Sequence, residues 1–158
     1  MRIMALTAAF TLMATFAASG DDVPFAAPPL PRPGEPDISN LASLGDIMGE
    51  TQLRHIKLWY AGRSGDWDLV HYEVDRITES LRRAATLYAN IPIEYIKSAA
   101  DPLAKMRDAV AAKNTQQFVQ GYSDLTAACN ACHLAGHVGF IQIQTPTWSP
   151  FSDEVFGR

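Results

Sequence analysis

The only two cysteines of this 158-residue chain, Cys129 and Cys132, stand three positions apart, are followed at once by His133, and close a helical stripe that begins at Phe118. No other feature narrows the possibilities so far. A Cys-x-x-Cys-His run is the attachment signature of c-type haem. Each thiol adds across a vinyl group of the porphyrin to leave a thioether, and the histidine ligates the iron. Two other uses of such a pair are weaker here. Zinc takes four Cys, His or carboxylate ligands, and no second cysteine pair exists. A redox dithiol of the thioredoxin kind expects a βαβ surrounding that the flanking pattern lacks. The motif therefore predicts one covalent haem c on Cys129 and Cys132, with His133 as proximal axial iron ligand.

Haem attachment of this type takes place outside the cytoplasm, so the N-terminus has to carry an export signal. Met1-Arg2 opens an apolar, small-residue run from Ile3 to Ala18 that ends at Ala18-Ser19-Gly20 before Asp21-Asp22. Residues 1–20 read as a secretory signal peptide cut near Gly20, too short and too poorly flanked to hold the mature chain in a membrane. An uncleaved N-terminal anchor is the alternative. The expected location is the periplasm. Removal of residues 1–20 leaves 12 Lys and Arg against 17 Asp and Glu, a formal balance of −5. An acidic surface argues against nucleic acid and anionic lipid, and suits a basic docking face on a periplasmic redox partner protein.

Pro24, Pro28, Pro29, Pro31, Pro33 and Pro36 crowd residues 21–37, which read as an extended linker. From Ile38 the period becomes helical, with Asp37 or Ser39 as cap and Leu41, Leu44, Ile47, Met48 and Trp59 on the pattern, up to a break at Gly62–Gly65. Asp66 caps a second helix with Val70, Val74, Ile77, Leu81, Ala84 and Tyr88 as its seam, and the acidic residues Asp66, Asp68, Glu73, Asp75 and Glu79 mostly outside it. Residues 93–100 are ambiguous. Asp101-Pro102 reads as cap and first position of a third helix, with Leu103, Met106 and Val110 on one face. Asn114 with Gln117 resembles a capping box, and the fourth helix puts Phe118, Tyr122, Leu125, Cys129 and Cys132 on one inward stripe. Four helices with short connections predict an all-α, antiparallel four-helix bundle over residues 38–135, with covalent haem on the last helix. Residues 136–158 are expected to form an irregular C-terminal extension. In it Phe140-Ile141-Gln142-Ile143 alternates like a strand, and Trp148, Phe151 and Phe156 would anchor it.

The late Cys129-x-x-Cys132-His133 on the last of four helices resembles class II cytochromes c, the cytochrome c′ group, over about Ile38 to His133. The chain departs from that group in its proline-rich leader, its C-terminal extension and the segment Arg54–Gly62, and so looks like a divergent branch. The resemblance implies a periplasmic four-helix-bundle haem protein. Such proteins often pair through their first two helices, so a homodimer is one expectation and Trp59, Tyr60 and Trp67 face either an interface or the core.

The sixth iron position decides the chemistry. In an antiparallel bundle the end of helix four lies beside the first half of helix one, which makes Met48, about ten residues into helix one, the candidate distal ligand. Low-spin members of the resembled group use a methionine on that helix. His55 shares the face but lies about 10 Å further along, and is the less favoured distal ligand. His137, one turn past His133, would face the same side as His133, and His71 falls off the seam. No phosphate loop, nucleophile elbow or clustered carboxylate pair supports hydrolase chemistry. The expected role is electron transfer without catalysis. The alternative is a five-coordinate haem protein that binds small gases such as NO or CO.

Overall fold

The computed structural model describes residues 42–89, 91 and 93–157, and every regular element among them is helical. The expected signal peptide, the proline-rich linker and the expected caps Asp37 and Ser39 lie outside the described residues. Five helices follow in order: α1 (Leu44–Ser64), α2 (Trp67–Leu87), a short α3 (Ile93–Ser98), α4 (Ala100–Ala112) and α5 (Thr115–Ala135). The ambiguous stretch at 93–100 thus supplies a helix of its own and the start of α4. Together with the tail they belong to one compact unit, Leu41–Arg158.

The first helix begins later than the periodicity suggested. Ser43 forms a full capping box: its hydroxyl accepts from the Asp46 amide at 3.1 Å while the Asp46 carboxylate accepts from the Ser43 amide at 2.9 Å. Both otherwise orphaned donors are satisfied, an arrangement worth about 1 kcal/mol. The helix also passes through Gly62 instead of stopping there. A Cβ at position 62 would collide with ring atoms of Phe118, so glycine serves close approach inside the helix. The stop is Gly65, which adopts the left-handed conformation at φ 75°.

Asp66 caps α2 as expected, accepting from the Leu69 amide at 3.2 Å. Val70, Val74, Ile77 and Ala84 form the buried face. Glu73 corrects the expectation of a solvated acidic row: it is 1 % exposed and accepts from Arg54 Nη1 at 3.2 Å. Burial raises its carboxyl above the ordinary range, and the Arg54 guanidinium opposes that rise. In α4, Asp101 and Pro102 sit in the first turn, and Ala99 precedes the helix without a side-chain cap. Asn114 caps α5 by accepting from the Gln117 amide at 3.1 Å.

Helix α1 lies along α2, α4 along α5, α2 against α4, and α1 touches α5. Leu58, Val74, Ile77, Met106, Phe118 and Leu125 belong to the one core they share. A fully buried side chain such as Phe118 contributes about 1.5–3 kcal/mol. Trp59 packs against Tyr122 at a tilt with ring centroids 4.9 Å apart, and Trp67 meets Phe118 edge-on at 6.3 Å, so both serve this core. Among the described residues no helix is long and apolar enough to cross a membrane.

Candidate functional site

The last two turns of α5 carry the motif. Phe118, Tyr122 and Leu125 are fully buried along its stripe, and Cys129 and Cys132 continue the stripe as half-buried residues. Cys129 packs against the core cluster. Both thiols are free. Burial, with the neighbouring Cys132 adding to it, pushes the Cys129 thiol up to about 11, and burial also raises Cys132. A redox dithiol needs the opposite, a depressed thiol. Nor do the described residues hold any group of three or more His, Cys, Asp or Glu side chains suited to a metal ion. Neutral thiols on adjacent turns, with an imidazole one residue on, fit the donor set that covalent haem requires.

His133 is held in one orientation. Its Nδ1 lies 2.9 Å from the Ile141 carbonyl oxygen. A carbonyl can only accept, so Nδ1 carries a proton, and in the neutral ring that leaves the lone pair on Nε2, the tautomer an iron ligand needs. The chain reaches this position by folding back at the end of α5. The Gly136 amide donates to the Cys132 carbonyl at 2.8 Å and the Val138 amide to the His133 carbonyl at 2.9 Å. His137 lies in this turn at φ 61°, outside the helix and exposed, which corrects the expectation that it continues the His133 face.

The segment with strand-like alternation forms no strand. Its backbone is bonded by α5 side chains instead. Asn130, inside the motif, donates from Nδ2 to the Ile143 carbonyl at 2.8 Å and accepts at Oδ1 from the Ile143 amide at 2.7 Å. The tail then runs along α1. Lys57 pairs with Glu154 at 2.7 Å and sits 4.6 Å above the Phe151 ring, Tyr60 stacks on Phe156 at 5.9 Å, and the Gly157 amide donates to Asp66 at 3.3 Å. Phe151 and Phe156 are anchors as expected. Trp148 is not, being 70 % exposed.

His55 occupies the middle of the bundle with both nitrogens engaged. Thr126 Oγ1 donates to the Tyr122 carbonyl at 2.8 Å, so its 2.9 Å contact with His55 Nε2 has the imidazole as donor. In the neutral ring Nδ1 then accepts from the Tyr122 hydroxyl at 2.8 Å, a proton the hydroxyl shares with the His55 carbonyl oxygen at 3.1 Å. Burial pushes the His55 conjugate acid down to about 4, so the ring is neutral near pH 7. Beside it a cavity of about 400 Å³ opens between α1 and the tail, lined by Gln52, Leu53, Ile56, Ile143, Pro146 and Trp148 among others. Met48 is half-buried in the second turn of α1, nearer the helix start than expected because Ser43 fixes that start. His71 is surface, 3.6 Å from Asp75.

The structure thus brings Cys129, Cys132 and His133 together on one helix end and places His55 in a separate network. Sequence reasoning missed Asn130 and the Ile141 carbonyl. The only signal was an amide side chain within the motif and an alternating run soon after it. No family model, curated protein or solved structure matches this chain.

Proposed function

We propose that this chain is an exported c-type cytochrome of class II type, an antiparallel bundle with one haem joined to Cys129 and Cys132 and His133 on the iron, acting as an electron carrier. The observation that carries the reading is the 2.9 Å bond from His133 Nδ1 to the Ile141 carbonyl beside two neutral, free thiols. Fixing the outer nitrogen is how proteins prepare an imidazole for a metal. Bound haem would supply an iron that alternates between ferrous and ferric states. The chain's own residues supply attachment, orientation and an apolar surface. Leu53, Leu134, Phe140, Ile141 and Trp148 are exposed. Leu53 and Trp148 line the larger hollow and Leu134 and Ile141 a second one, with Gln142 common to both.

The antiparallel sense is supported by side-chain pairs between α1 and α5. Gly62 meets Phe118, and His55 meets Tyr122 and Thr126, so numbers fall along α1 as they rise along α5. Seven residues before His55 is Met48, and seven after Thr126 is His133. Met48 is accordingly level with the motif and is the distal ligand in this reading. His55, with both nitrogens bonded, is a structural residue.

Absorption spectra of the exported protein, oxidised and reduced, with and without carbon monoxide, test this. A low-spin, six-coordinate spectrum that Met48→Ala converts to high spin supports the carrier. A high-spin spectrum in the unmodified protein that changes at once with carbon monoxide identifies the gas-binding protein instead, and contradicts the role given to Met48.

A further inference from the structure

We propose that Asn130 is a positioning residue for His133, acting through the C-terminal segment, and that it thereby lowers the reduction potential of the iron centre. The inference rests on the haem reading. It concerns what the tail, unexplained by the bundle, does for the site.

A primary amide has one donor and one acceptor arm, the same pair a peptide group offers, and can close a two-bond ring with a peptide as a neighbouring strand would. Asn130 does so with Ile143, at 2.8 Å outward and 2.7 Å inward. Residues two apart in extended backbone direct their carbonyls to the same edge. The Ile141 carbonyl, two residues before the clamp, is therefore presented toward α5, where His133 Nδ1 donates to it at 2.9 Å. Asn130 and His133 are three residues apart on the helix and so share a face. Helix α5 thus grips 141–143 at two points one turn apart: one grip fixes the segment, and the other uses it. Further along, the Lys57–Glu154 pair and the Asp66–Gly157 bond tie the rest of the tail to the bundle.

The consequence is electronic. An imidazole that donates firmly from Nδ1 gives more electron density through Nε2, which favours the ferric over the ferrous state. Loosening the segment weakens that donation. Aspartate at 130 would keep the acceptor but lose the donor, and alanine loses both.

The test is the midpoint potential of the full-length, haem-loaded protein, read together with exchange of the His133 Nδ1 proton by nuclear magnetic resonance. Asn130→Ala should retain its haem, shift the potential upward and speed that exchange. Asn130→Gln, which keeps both amide arms on a longer stem, should recover part of both effects. A variant that holds its haem with potential and exchange unmoved overturns the proposal. Should Asn130→Ala fail to accumulate, the unmodified protein decides. Protection of the Nδ1 proton comparable to that of the Ile143 amide supports the clamp, and exchange at the rate of a free imidazole overturns it. An unmodified chain without covalent haem defeats the haem reading, which is a different result from a coloured protein indifferent to residue 130.

Discussion

Two histidines divide the molecule. His55, in the middle of the bundle, is 3 % exposed and bonded at both nitrogens. His133, at the end of α5, is half-buried, is bonded at Nδ1, and has no partner for Nε2 among the described residues. The more buried imidazole is the less available one. Burial with complete hydrogen bonding marks a group that specifies the core, whereas an oriented ring with one lone pair to spare marks a group that can ligate. The surroundings follow the same division. Helical packing and aromatic rings hold the middle, and side-chain bonds to an irregular strap hold the end.

The largest expected effect breaks the comparison outright. On the proposed haem reading, His133→Ala should abolish the normal ligand set and its spectrum, while His55→Ala should leave the spectrum nearly unchanged and lower stability. Spectra and denaturant melts of the two variants decide it, and the reverse assignment would exchange their roles.

A second effect belongs to His55 alone. Its folded-state value near 4 lies below the ordinary imidazole value of 6.5. As pH falls through 6.5 the unfolded chain takes up a proton that the folded chain refuses. The stability associated with neutral His55 is therefore complete above pH 6.5 and is lost progressively toward pH 4, by roughly 3 kcal/mol. Urea denaturation across that window should show the slope, and His55→Gln should flatten it. A slope that survives the substitution would assign it to another group.

A smaller effect sharpens the same contrast. Tyr122→Phe removes the hydroxyl that donates to His55 Nδ1 and leaves a buried acceptor unpaired, at a cost of about 1–3 kcal/mol. Denaturant midpoints should fall while the haem spectrum stays put. A spectral change would mean that the two networks are coupled.

Much of the bundle was legible because it depends on local order. The seam Val70, Val74, Ile77 and the stripe Phe118, Tyr122, Leu125 are buried as their spacing implied, and Asp66 and Asn114 cap where such residues cap. That Cys129, Cys132 and His133 share one helix end was legible because the three are near neighbours in sequence. What escaped depends on partners distant in sequence. Gly62 reads as a breaker until Phe118 is found against it, and Glu73 reads as solvated until Arg54 is found beside it. The tail was hardest. It is irregular as expected, but what its alternating run at 140–143 would bond to was not legible: the backbone there is bonded by Asn130 and His133, and no periodicity announces a side chain that takes a strand's place.

The most direct measurement is the intact mass of the purified chain, produced by export in a host that matures c-type cytochromes, followed by extraction with acidified organic solvent. The account predicts a mass gain of one haem that survives extraction and is lost when Cys129 and Cys132 are both replaced by serine. A chain of unmodified mass, or a pigment that leaves with the solvent, would contradict it.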